Sequence, residues 1–71
     1  MSTLDLIING DPVVLAAGST VADVVAHLVG AADAKGMAVA VDRSVVPRSQ
    51  WSTTPVTAGS HIEVVTAAAG G

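Results

Sequence analysis

The period of apolar and polar positions changes along the chain, and these changes mark its elements. Leu4, Leu6 and Ile8 alternate with Thr3, Asp5 and Ile7, the period of a strand with one face to the core and a mixed outer face. A second apolar run, "PVVLAA", follows after Asn9-Gly10. Both of those residues tolerate positive φ, so the pair suits the two-residue turn of a hairpin. Pro12 removes a backbone donor at the start of the second run, which places that strand at a sheet edge. The period then lengthens: Val21, Val24, Val25, Leu28 and Val29 form one stripe of a helix. Thr20 is its N-cap, Asp23 completes a capping box at the positive end of the helix dipole, and Gly30 ends it. Valine forms helices poorly because its χ1 freedom is lost against the preceding turn, so this helix depends on packing against a sheet.

After a loop, "AADAKG", alternation returns in "MAVAVD", with Val39 and Val41 opposite Ala38 and Ala40. Val45 and Val46 give a short strand that Pro47 stops, and "PRSQW" predicts one tight helical turn that carries Trp51 to the core. "TTPVTAGS" is turn chemistry. "HIEVVT" is a last strand with Ile62 and Val64 inward and Glu63 and Val65 outward. The order strand, strand, helix, strand, strand, strand is α+β, with one helix covering one face of one mixed sheet. The uncovered face, with Ile7, Ala38, Ala40 and Val65, is then the expected partner face.

Composition narrows the function. A chain of 71 residues has one marginal core, which leaves little room for a multi-part active site. Hydrophobic residues make up 51% and charged residues 13%, too apolar for disorder, while the longest apolar runs are too short to cross a bilayer. The N-terminus has no basic region and carries Asp5 inside its apolar stretch, so it reads as a strand and not a signal peptide, and the expected location is cytoplasmic. The net charge is −3, and Lys35, Arg43 and Arg48 form no stripe for phosphates, which argues against nucleic acid. The absence of cysteine excludes disulfides, thiolate metal sites and a thiol nucleophile.

No catalytic constellation is visible. His27 and His61 share no metal-ligand or nucleophile–base spacing, the six acids are scattered among turns, caps and exposed strand positions, and the glycines form no phosphate loop. Arg48, beside Pro47, is expected to bind an internal carbonyl rather than a partner carboxylate. What remains is "TAAAGG". Its side chains are small enough to lie in a narrow channel, with Ala69 and Gly70 delivering the terminal carboxylate of Gly71 into another protein. The expected organisation is a domain over 1–66 and a flexible tail over 67–71.

"IING", "GSTVADVVAHL", "MAVAVD", "VPRSQW" and "IEVVTAAAGG", at this spacing, resemble the ThiS family, the sulfur carriers of thiamine biosynthesis. The resemblance implies a β-grasp (ubiquitin-like) fold with a mixed sheet of about four to five strands. It implies a carrier, not an enzyme. Gly71 would be adenylylated with ATP by an E1-like adenylyltransferase (ThiF or MoeB-like) and converted to a thiocarboxylate with sulfur from cysteine desulfurase. It would then donate that sulfur to thiazole synthase (ThiG), with no cofactor or metal bound to the carrier itself. Two departures from the family pattern stand out: Asp42-Arg43, where relatives often have Asn and a small residue, and Ala68-Ala69. The alternatives are a molybdopterin-synthase small-subunit-like (MoaD-like) carrier or one of another sulfur pathway, a protein modifier, and a noncovalent β-grasp interaction module.

Overall fold

The computed structural model describes residues 2–29 and 36–66. Strands β1 (Thr3–Ile8) and β2 (Asp11–Ala16) form the first hairpin, α1 (Val21–Val29) follows, and β3 (Met37–Val41) and β4 (Ser44–Val46) form the second. A 3₁₀ helix over Arg48–Thr53 then leads through turns to β5 (His61–Thr66). The five strands make one sheet in the order β2-β1-β5-β3-β4. β5 enters between the two hairpins, parallel to β1 and antiparallel to β3. This is the β-grasp arrangement.

Local chemistry accounts for the elements. Asn9 and Gly10 have φ of 51° and 85°, both positive as a type I′ turn requires. Pro12 lies in β2, an edge strand, where its missing N–H disturbs no ladder. At the start of α1 the capping box is closed: the Thr20 N–H donates to Asp23 Oδ2 at 2.8 Å, and the Asp23 N–H approaches Thr20 Oγ1 at 3.4 Å. Gly30, expected to end the helix, and most of the "AADAKG" loop lie outside the described residues.

The core lies between α1 and the inward face of the sheet. Val21, Val24 and Val25 of the helix meet Leu6, Ile8, Val39, Ile62 and Val64, all buried. Trp51 closes one end from the 3₁₀ helix, and its indole N–H donates to the Val46 carbonyl at 2.9 Å, so the ring is buried with its polar atom satisfied. Leu28 departs from the expected stripe. It remains 40% exposed, whereas Val21, Val24 and Val25 are buried. No helix among the described residues is long and apolar enough to cross a membrane.

Candidate functional site

The uncovered sheet face and the strand leading to the C-terminus are the surfaces with functional potential. Ala38, Ala40 and Val65 come together there: Ala38 pairs with Val65 across β3 and β5, and Ala40 sits between Glu63 on β5 and Val45 on β4. Ala38 and Val65 are exposed and Ala40 is half-buried. Val45 extends the apolar patch and is 74% exposed. Ile7 lies apart from it. Its neighbours are Pro12 on β2 and His61 on β5, so β5 brings the polar His61 and Glu63 between Ile7 and the alanines. There Ile7 helps to line a shallow depression of about 530 Å³ with Gly10, Asp42, Arg43, His61 and Glu63 on its rim.

The two histidines are on opposite sides of the molecule. His27 is exposed on α1, whereas His61 points outward from the other face of the sheet, so they cannot act on one substrate. Among the described residues no group of three His, Cys, Asp or Glu side chains could hold a metal ion. The acids that make contacts make structural ones. Asp23 caps α1, and Asp42 Oδ1 accepts the His61 N–H at 2.9 Å while the Asp42 N–H donates to the His61 carbonyl at 2.8 Å. Residues 67–71, and with them the expected site residues Ala69, Gly70 and Gly71, lie outside the described residues.

The comparisons with known proteins bear on the whole chain. The ThiS family model matches residues 6–71. The chain belongs to the ThiS family. Among solved structures it is similar to the crystal structure of the thiamine biosynthesis protein ThiS from Geobacter metallireducens. The two share 26% sequence identity with a TM-score of 0.79 over 96% of this chain and 100% of that one. No curated protein matches it.

Two departures from the ThiS family pattern gain a location. Asp42 and Arg43 form the two-residue β3–β4 turn with φ of 48° and 73°, a backbone that glycine and asparagine adopt readily and arginine does not. Sequence reading missed this hairpin turn, since Arg gives no turn signal. Ala68-Ala69 lies outside the described residues. Arg48 places its guanidinium 6.0 Å from the centre of the Trp51 ring, so its contact within the "VPRSQW" segment is with an aromatic face where a carbonyl was expected. Asn9 is the other residue whose part in the site sequence reading did not find. Its side chain bonds to Val64, 55 positions away, and no local pattern signals a contact of that range.

Proposed function

We propose that this chain is a sulfur carrier of thiamine biosynthesis and that its reactive group is the terminal carboxylate of Gly71. The observation that carries the reading is the family match, which runs through β5 and on to Gly71 itself.

The chemistry follows from the carboxylate. It is a poor electrophile, so a partner must first attach it to the α-phosphate of ATP, releasing pyrophosphate and leaving an acyl adenylate. A sulfur nucleophile then attacks the carbonyl carbon and AMP departs. With sulfide the product is the thiocarboxylate directly; with a persulfide it is an acyl disulfide, from which a thiol releases the thiocarboxylate. The thiocarboxylate carries its charge on polarisable sulfur and can attack an electrophilic carbon on an acceptor. Hydrolysis after transfer returns the carboxylate.

Each step takes place in a partner's active site, so the chain acts as a co-substrate and not as the catalyst. The partners this chemistry calls for are an E1-like adenylyltransferase of the ThiF or MoeB-like kind and, as acceptor, thiazole synthase. ATP is consumed by the first of these. Ala38, Ala40 and Val65, with Ile7 beyond β5, form the recognition face in this reading. Intact mass after incubation with ATP, an E1-like adenylyltransferase and sulfide tests it. Replacement of one terminal oxygen by sulfur is expected; a chain that keeps its carboxylate mass overturns the reading.

A further inference from the structure

β1 pairs with β5 only through Ile7 and Ile8, because the chain turns away at Asn9 and Gly10 into β2. β5 continues past that point. On one side it stays paired with β3 as far as Thr66, but on the side facing β1 the N–H and C=O of Val64 have no strand opposite them. The Asn9 side chain fills that position. Its Oδ1 accepts the Val64 N–H at 2.9 Å, and its Nδ2 donates to the Val64 carbonyl at 3.1 Å. A carboxamide carries the same donor and acceptor as a peptide group, so it extends β1 by one residue without any further chain. The Asn9 N–H also donates to the Ile62 carbonyl at 2.9 Å, which gives this one residue three bonds to β5.

The turn alone does not require this side chain. Glycine or aspartate would serve at the first position of a type I′ turn, and neither could both accept from Val64 and donate to it. The bonds fall where β5 would otherwise be held from one side only, just before the chain continues to the tail.

We propose that Asn9 is a positioning residue for tail delivery, holding β5 at Val64 so that the tether to Gly71 starts from a fixed place and direction. The proposal rests on the carrier reading. From Val64 the chain to Gly71 reaches at most about 25 Å, so any freedom at the root adds directly to the volume the carboxylate must search. Once the tail is seated in a partner, the reacting atoms are the same with or without the clamp. Loss of Asn9 therefore acts on KM for the carrier and not on kcat.

Asn9→Gly keeps the turn and removes both side-chain bonds, and the full-length chain is the test protein. Amide hydrogen exchange at Val64 is expected to quicken about tenfold, as for the loss of two part-buried hydrogen bonds. In sulfur loading with ATP, an E1-like adenylyltransferase and sulfide, the KM for the carrier should rise about fivefold with kcat unchanged. Thr20→Ala, which lowers stability through the α1 cap on Asp23 and lies away from β5, controls for lost stability and should leave KM at the parent value. Unchanged Val64 exchange in Asn9→Gly overturns the proposal, as does a KM equal to that of the parent or a loss that falls on kcat. If the parent loads sulfur and Asn9→Gly loads it identically, the inference about Asn9 alone fails. If the parent never takes up sulfur, the carrier reading fails and takes the proposal with it.

Discussion

Arg43 shows at the scale of one residue how a sequence can carry local strain within a sound fold. Its φ of 73° puts a Cβ-bearing, long side chain in the left-handed region, which raises its energy by roughly 1–2 kcal/mol relative to glycine. Arg43→Gly removes that strain but makes the unfolded chain more flexible, which offsets about 0.4–1 kcal/mol of the gain. The expected net effect is a stabilisation of about 0.5–1 kcal/mol, read as a Tm several degrees higher in thermal unfolding. A lower Tm would mean that the Arg43 side chain makes a stabilising contact that outweighs its backbone strain. Asp42, beside it, is a different case. Its carboxylate meets the first N–H of β5, so glycine there would lose a bond as well as relieve a turn.

At the scale of elements, the sequence was most legible where a local rule and a core position coincided. Thr20 and Asp23 announced the start of α1 and form the reciprocal cap there. Thr20→Ala should therefore cost about 1 kcal/mol, measurable by denaturant titration as a lower midpoint with an unchanged slope. The Asn9-Gly10 turn, the edge position of Pro12 and the burial of Trp51 follow from equally local chemistry. What was not legible lies in relations between elements. Leu28 fits the helical stripe, yet it is 40% exposed, because the period of a helix says which face turns inward and not how far along it burial extends. Ile7 shares the outer sheet face with Ala38, Ala40 and Val65, as its alternation with Leu6 and Ile8 indicates, but chain order does not reveal that β5 inserts between β1 and β3 and sets His61 and Glu63 between Ile7 and the alanines. The contact from Asn9 to Val64 depends on that same insertion.

For the whole molecule the carrier reading requires that stability and recognition be borne by opposite sides of one sheet. Neighbouring positions on β5 separate the two: Val64 is 6% exposed against the core, and Val65 is 57% exposed beside Ala38. Val64→Ala removes buried carbon from a core that a chain of 71 residues can hardly spare. It should cost about 2 kcal/mol and lower Tm by roughly 10 °C, with sulfur loading intact at temperatures where the variant is folded. Val65→Glu faces water, so its effect on stability should stay within about 0.5 kcal/mol. On the recognition face, however, it sets an unpaired charge where a partner must exclude water, and should weaken capture by the adenylyltransferase about tenfold, read as a higher KM for the carrier. If Val65→Glu loads sulfur as readily as the parent, the partner does not approach over Val65, and the side of β5 that holds Ile7 and the His61 depression becomes the surface to mutate next.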